Sequence, residues 1–501
     1  MTIMKELING SDIRGISIET KEHKANLTAK EVKKIGMGFL RFLTDIQKIE
    51  RRPLRIAIGI DSRVSGVELK GTLAEVFWKA GVTVLDAGMA TTPAMFMATQ
   101  FPEVDADAGI MITASHLPYF YNGLKFFTKN GGAEHEDIEK IIKLADQELE
   151  WEEEKGIVEQ VPLVFYYAND LVQKIQTETK QDKPLEGLRI VLDAGNGAGG
   201  FFAEDVLQEL GADTTGSQFL DPDGYFPNHI PNPDNKEAMA SIQSAVLENE
   251  ADLGIIFDTD VDRAAVVDHK GVAINRNNLI AVLAEIVLQD EPGATIVTNS
   301  PTTSHLKDFI EKLGGKQYRY ISGYRNVINK AIELNKEDIN TPLAIETSGH
   351  AAFKENYFLD DGAYVVAKIL MLLPKLNKQG RQISDLIENL KQPIEAQEVR
   401  FLIESDNYKK YGEKVIEDLK DFVRQTSGFE VEPDNTEGIR VNVSDDYGSG
   451  WFLLRMSLHE PLLVLQVEND QEGANYLVFE RLEKFFKEYP ELELDSLYEV
   501  L

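Results

Sequence analysis

Ala108-Gly109-Ile110-Met111-Ile112-Thr113-Ala114-Ser115-His116-Leu117-Pro118 is an unbroken apolar run that ends abruptly in small and polar residues beside a proline. A short apolar run bounded by turn formers reads as a buried strand, and strands covered on both faces belong to parallel sheets. Ser115 then sits at the carboxyl end of the strand, where open α/β sheets present reactive groups. A serine beside a proline also serves as an ordinary cap or turn residue. The following Asn122-Gly123-Leu124-Lys125 favours the reactive reading: it makes a tight turn into 125–127 and brings in a lysine able to hold phosphate or transfer a proton.

Working outward, the same grammar of β-branched run, Gly/Ser/Asp-rich loop and helix-period segment appears three times. The first unit has strands at 55–60, 82–85 and 108–113 and a helix at 67–80. The second has strands at 189–193 and 253–257 and helices at 201–210 and 237–248. The third has strands at 295–298 and 343–346 and helices at 303–313 and 324–334. From about Ala396 the pattern changes to short strands, including 453–456 and 462–467, mixed with helices at 408–425 and 471–487, as in a smaller α+β domain. Breaks are expected in the charged stretch 148–159, just past residue 263, and at 375–392.

A second chemical segment, Asp258-Thr259-Asp260-Val261-Asp262-Arg263, also follows directly on a buried-strand run. Three carboxylates at alternate positions of a loop can turn toward one point, which suits a hard divalent cation on oxygen; without a cation they repel one another. A solvated acidic turn is the competing reading, and the apolar flanks 255–257 and 264–267 argue against it. The loop is not an EF-hand, because Arg263 stands where the glycine belongs and His269 where the closing glutamate belongs.

Bulk properties narrow the class. The 501 residues exceed what one core supports and suggest three or four domains. With 84 acidic against 52 basic residues the net charge is −32, which disfavours nucleic acid and anionic membranes while leaving room for an anionic small molecule on a local Arg/Lys cluster. Cysteine is absent, so disulfides, thiolate nucleophiles and Cys-ligated zinc drop out. The start lacks a secretory pattern and no apolar run reaches the roughly 20 residues of a membrane span, so a cytoplasmic protein is expected.

The serine and aspartate segments together resemble the α-D-phosphohexomutases, the family of phosphoglucomutases, phosphomannomutases and phosphoglucosamine mutases. The resemblance continues in chain order. Asp12-Ile13-Arg14-Gly15 is similar to the family segment whose arginine contacts phosphate near the active serine, and the aspartate loop resembles Asp-Gly-Asp-Gly-Asp-Arg with Thr259 and Val261 at its glycines. Glu346-Thr347-Ser348-Gly349-His350 resembles the sugar-specificity loop, with Ile345 at its leading glycine; Phe353-Lys354-Glu355 and Asp360-Asp361-Gly362 resemble the phosphomannomutase/phosphoglucomutase branch. Arg455-Met456-Ser457-Leu458-His459-Glu460-Pro461 resembles the phosphate loop Arg-x-Ser-Gly-Thr-Glu-Pro, departing at Leu458 and His459, and Arg325 falls where relatives carry a phosphate-contacting Lys or His.

The resemblance implies an α/β protein of three similar mixed-sheet domains, 1–160, 161–272 and 273–388, and a smaller α+β domain, 389–501, around a central cleft. It implies an intramolecular phosphotransferase that interconverts hexose 1-phosphate and hexose 6-phosphate, of glucose or mannose, through phosphoserine at Ser115 and a 1,6-bisphosphate. Mg²⁺ would lie on Asp258, Asp260, Asp262 and the Ser115 phosphoryl group, with hexose 1,6-bisphosphate as activator. Arg14, His116 and Arg263 would surround the phosphoryl group and Lys125 would be the acid/base. Glu346, Ser348, His350, Arg325, Arg455 and Ser457 would bind the sugar phosphate. Phosphoglucosamine mutase and phosphopentomutase activities fit the same motifs, and oligomeric state is not legible.

Three rivals follow from the same residues. Gly195-Asn196-Gly197-Ala198-Gly199-Gly200 contains a formal dinucleotide fingerprint, with Asp213 and Asp221 downstream. Residues 255–261 resemble the haloacid-dehalogenase motif with Asp258 as nucleophile. A sugar-binding protein without catalysis is the third, and it leaves Ser115 and the aspartates without a task.

Overall fold

The computed structural model describes residues 3–147, 154–457 and 460–501, so part of the charged stretch read as a break, and Leu458 and His459 of the phosphate loop, lie outside the described residues. Contacts gather the chain into two compact units, Met1–Leu283 with Ser348–Leu386, and Ala284–Thr347 with Ile387–Leu501.

In the first unit, an eight-stranded sheet runs in the order Ile8–Asn9, Asp12–Ile16, Tyr121–Thr128, Ala108–Ile112, Arg55–Ile60, Thr83–Met89, Ile157–Gln160, with Gly131–Gly132 paired to Tyr121–Thr128. Arg55–Ile60 is parallel to both Ala108–Ile112 and Thr83–Met89, as the βα pattern predicts. The sheet is mixed because Tyr121–Thr128 returns antiparallel beside Ala108–Ile112 and Asp12–Ile16 adds antiparallel to it. That last strand is invisible to periodicity, since Asp12 and Arg14 interrupt any apolar alternation. Ile35, Phe39, Leu73, Phe77, Ile56, Ile110, Phe126 and Ile141 form a buried core between the sheet and helices Ala29–Arg41, Gly66–Lys79 and His135–Ala145. Each such aromatic or aliphatic side chain contributes about 1.5–3 kcal/mol on leaving water.

The second sheet of this unit orders Ala273–Ile274, Ala264–Asp268, Leu253–Phe257, Ile190–Asp193. The parallel pair Ile190–Asp193 and Leu253–Phe257 ends at the aspartate loop, and the chain then turns straight back as the antiparallel strand Ala264–Asp268. The helix expected at 201–210 is irregular: Ala203–Gln208 winds as a wider π-helix. A hairpin, Ala351–Phe353 with Leu359–Asp360, and the helix Gly362–Lys378 complete the unit.

In the second unit, strands Lys316–Tyr320, Thr295–Asn299 and Leu343–Ile345 are parallel, with helices Ser304–Lys312 and Tyr324–Lys336 close to the predicted spans. Its C-terminal part is an antiparallel five-stranded sheet, Glu395–Leu402, Leu462–Asn469, Gly450–Met456, Ile439–Val443, Phe429–Val431. Phe401, Leu419, Phe452, Leu465, Phe479 and Phe486 are buried between that sheet and helices Tyr408–Arg424 and Ala474–Phe486, the α+β arrangement expected from residue 396 onward. Among the described residues no helix is long and apolar enough to cross a membrane.

Candidate active site

Two strand ends of the first unit converge. Ala108–Ile112 delivers Ser115, which is 3% exposed, and Leu253–Phe257 delivers Asp258, Asp260 and Asp262, all essentially inaccessible to solvent. Ser115 adopts φ +52°, in the left-handed region, and its amide donates to Thr113 Oγ1 at 3.0 Å. The turn beyond it can close because residue 123 is glycine: a Cβ there would lie 2.4 Å from the Ile13 carbonyl oxygen and 2.6 Å from that of Thr113. The same glycine pairs with Arg14 across the sheet.

Arg263 ties the two strand ends together. Its Nη2 donates to Ser115 Oγ at 2.9 Å and to His116 Nδ1 at 2.7 Å, while its Nε donates to Asp258 Oδ2 at 3.1 Å and its backbone amide to Asp258 Oδ1 at 3.2 Å. Ser115 Oγ lies 3.4 Å from Asp258 Oδ2. Lys125 Nζ donates to Asp260 Oδ2 at 2.9 Å and to Asp262 Oδ2 at 2.6 Å, and Thr92 Oγ1 donates to Asp260 as well. Arg14 places its Nη2 3.0 Å from Asp12, and its charge reaches His116. His350 pairs with Asp360 and lies 4.0 Å from Asp262.

These surroundings set the charge states. Burial, then the carboxylates of Asp262 and Asp260, hold Asp258 well above the usual carboxylate range, against the pull of Arg263. Burial pushes Asp262 the same way, but Lys125, His350 and Arg263 reverse it and hold that carboxyl low. Burial and the charges of Arg263 and Arg14 push His116 down to about 2, so its ring is neutral and Nδ1 accepts from Arg263.

The donor set fits a hard divalent cation. One oxygen each from Asp258, Asp260 and Asp262 lie within 4.8 Å of one another. Asp260 Oδ1 and Asp262 Oδ1 are buried with no hydrogen-bond partner, a costly condition for an anionic oxygen that coordination relieves. Val261, between these ligands, sits at φ +65°, a glycine-like conformation costing a β-branched residue about 1–2 kcal/mol.

The glycine segment near residue 195 is part of this architecture. A Cβ on Gly197 would lie 2.6 Å from the Thr259 carbonyl oxygen, and the Ala198 amide donates to that oxygen at 2.8 Å. The glycines thus let one loop pack against the backbone of the aspartate loop. Of the two downstream acidic residues, Asp213 pairs with Arg189 at 2.9 Å, and Asp193, at the end of the preceding strand, accepts from Gly195 N, His229 and Gln218. On the other side, Gly362 approaches the Arg263 backbone so closely that a Cβ would meet its carbonyl carbon at 2.6 Å.

Sequence reading missed Arg63, Asp61 and Thr92, and quoted Asp360 only within a branch motif, without a role at the site. The first two were detectable as Asp61-Ser62-Arg63 at the end of the parallel strand Arg55–Ile60, the same position in the grammar as Ser115.

The remaining candidates sit as follows. Ser348, in the first unit, has its hydroxyl buried with no hydrogen-bond partner. In the second unit Glu346 is buried and accepts from the Gly323 amide at 2.6 Å, and Arg325 starts the helix Tyr324–Lys336. Arg455 lies near the end of Gly450–Met456, with Nη1 3.2 Å from the Met456 carbonyl, and Ser457 accepts from the Glu460 amide at 3.3 Å.

Three family models match in succession: phosphoglucomutase/phosphomannomutase α/β/α domain I over residues 5–151, domain II over 166–271 and domain III over 275–393. The phosphoglucomutase of Neisseria gonorrhoeae is 30% identical over 489 residues, 97% of this chain and 97% of that one. The chain belongs to the phosphoglucomutase/phosphomannomutase family. This family member is also 29% identical to the phosphomannomutase/phosphoglucomutase of Pseudomonas aeruginosa, over 97% of its own length and 96% of the relative's. Its structure is similar to the crystal structure of a phosphoglucomutase/phosphomannomutase family protein from Burkholderia thailandensis, with TM-score 0.78, 28% identity, and coverage of 97% of this chain and 98% of that one.

Proposed function

We propose that this protein interconverts hexose 1-phosphate and hexose 6-phosphate, of glucose or mannose, by way of phosphorylated Ser115 and a hexose 1,6-bisphosphate. The observation that carries the reading is the Ser115 hydroxyl, buried at a strand end and held 2.9 Å from Arg263 beside the Asp258 carboxylate.

In the forward half-reaction the free 6-hydroxyl attacks the phosphoserine phosphorus. An O–P bond forms at the sugar, the Ser115 Oγ–P bond breaks, and the hydroxyl proton leaves the attacking oxygen. The reverse half-reaction, from the 1-position, restores the phosphoserine. Transfer of this kind depends mainly on in-line placement and charge stabilisation. Arg263 already contacts Oγ and is placed to hold the phosphoryl oxygens, with Arg14 and neutral His116 as further partners. Lys125 is assigned the acid/base role: its ammonium, poised on Asp260 and Asp262, would give a proton to the serine oxygen as the phosphoryl group departs, and the resulting amine would take the proton that leaves the 6-hydroxyl, so that one proton passes net from sugar to serine. Asp258, Asp260 and Asp262, with a phosphoserine oxygen, would hold Mg²⁺, which would supply positive charge to offset that of the phosphoryl group.

Family resemblance assigns Glu346 and Ser348 to the sugar hydroxyls, Arg325, Arg455 and Ser457 to phosphate, and His350 to substrate binding. It also assigns hexose 1,6-bisphosphate as the activator that primes Ser115, and the division into segments 1–160, 161–272, 273–388 and 389–501.

The test is a coupled assay over glucose, mannose, glucosamine and ribose 1-phosphates with Mg²⁺ and a trace of bisphosphate, together with mass-spectrometric mapping of the phosphorylated residue. Turnover of a hexose 1-phosphate with label on Ser115 is expected. Label on Asp258 would instead mean dehalogenase-type chemistry.

A further inference from the structure

Arg63 takes no part in the phosphoryl site just described, yet its side chain is wholly buried. Its guanidinium is committed to one turn of backbone. Nη1 donates to the carbonyls of Pro118 at 2.9 Å and Tyr121 at 3.0 Å; Nη2 donates to those of Leu117 at 2.7 Å and of Ser115 itself. Asp61 balances the charge, with Oδ2 3.4 Å from Nε and Oδ1 accepting from the Arg63 amide at 2.9 Å. The Phe226 ring centroid lies 5.2 Å from the guanidinium carbon. Gly224 clamps the local backbone, since a Cβ there would meet the Ser62 carbonyl oxygen at 2.4 Å and the Val64 amide at 2.6 Å.

A buried guanidinium is costly unless its donors are satisfied, and carbonyls pointing inward at a tight turn are costly for the same reason. Here the Nη donors and the four carbonyls satisfy one another, while Nε makes no hydrogen bond and is balanced only by the charge of Asp61 3.4 Å away. The clamp also bears on Ser115, whose φ of +52° is unfavourable for a non-glycine residue and persists only where its surroundings over-determine it. Arg63 grips the carbonyls of residues 115, 117, 118 and 121, so the serine cannot relax without breaking several of these bonds together. Only a planar fork of donors reaches four carbonyls at once; a lysine ammonium has three donors on a single atom.

We infer that Arg63, supported by Asp61, is a positioning residue for phosphoryl transfer: it locks the 115–121 turn so that Ser115 Oγ returns to the same point between Arg263 and Asp258 in every cycle. This rests on Ser115 being the phosphoryl carrier. Misplacing the carrier slows both half-reactions, whereas hexose binding, assigned to other residues, is left intact.

The experiment compares full-length wild type, Arg63→Lys and Asp61→Asn. Each dephosphorylated protein is mixed with glucose 1,6-bisphosphate and Mg²⁺, Ser115 phosphorylation is followed by intact-mass spectrometry, and kcat and KM for glucose 1-phosphate are measured beside Tm. For Arg63→Lys the loading rate and kcat are expected to fall about 100-fold with KM within about threefold. A merely structural role would lower folded yield and Tm without separating kcat from KM. Should Arg63→Lys not fold, the near-isosteric Asp61→Asn decides, with loading expected about tenfold slower. Wild-type loading rates in the folded variant overturn the inference while leaving the Ser115 reading in place. A wild-type protein that never takes label on Ser115 overturns both.

Discussion

Lys125 donates to Asp262 across 2.6 Å, so its ammonium rests against the aspartate loop rather than on Ser115. The lysine, on strand Tyr121–Thr128, neutralises part of a cluster of three buried carboxylates. Its charge is therefore tied both to the stability of the loop and to the chemistry proposed for it.

Replacing that lysine should expose the coupling. Lys125→Met leaves Asp260 and Asp262 buried beside one another without their ammonium, which is expected to cost about 3–5 kcal/mol in the absence of a divalent ion. Mg²⁺ should restore much of that, because a cation bound only to the native state stabilises it by mass action. Calorimetric Tm values in EDTA and in Mg²⁺ test this: the variant's deficit should be larger in EDTA.

Ser115→Ala should abolish mutase turnover and leave the fold intact, since the hydroxyl's contacts are to Arg263, His116 and Asp258 and none holds a strand. The coupled assay and far-ultraviolet circular dichroism are the measurements. Residual mutase activity in a folded Ser115→Ala protein would defeat the mechanism.

Arg455→Met addresses the phosphate assignment in the second unit. The Arg455 side chain is only partly buried and its Nη1 contact is to the neighbouring carbonyl of Met456, so Tm should be nearly unchanged. A charged hydrogen bond to substrate is worth about 1.5–3 kcal/mol, so KM for hexose 1-phosphate should rise roughly 10- to 100-fold. An unaltered KM would remove Arg455 from substrate binding.

Asp361 carries a pH dependence. Burial lifts its carboxyl from the ordinary 3.8 to about 6, although Tyr167, the Tyr364 amide and Asn356 all pull it down. A raised folded-state pKa means that the native state prefers the proton. The stability this confers is full below about pH 3.8 and is lost as pH rises through about 6. A shift of that size corresponds to about 3 kcal/mol. Asp361→Asn cannot ionise, so its stability relative to wild type should improve by about 3 kcal/mol between pH 3.5 and pH 7. Urea unfolding at several pH values checks this, and a constant difference would show that the carboxyl is not shifted.

Much of the architecture was legible because it rests on local patterns. The strands Ala108–Ile112 and Leu253–Phe257 stand out as continuous apolar runs since both faces are covered, and the helix at Tyr324–Lys336 shows its 3.6-residue period. Asp12–Ile16 was hidden because its polar residues face partners that only the sheet supplies. The glycines at 195–200 were ambiguous for a similar reason: a close loop-to-loop approach and a phosphate cradle demand the same absent Cβ.

By itself, the sequence determined the α/β class, the strand-end placement of Ser115 and of Asp258, Asp260 and Asp262, and the family, because hydrophobic period and loop chemistry are properties of neighbours along the chain. Only the tertiary structure decided which partner each charge takes. Arg263 reaches Ser115 across 148 residues, Lys125 reaches Asp262 across 137, and Arg63 holds the serine turn from more than 50 residues away. Buried charges choose partners by distance and desolvation in the folded core, and those exist only once the strands have paired.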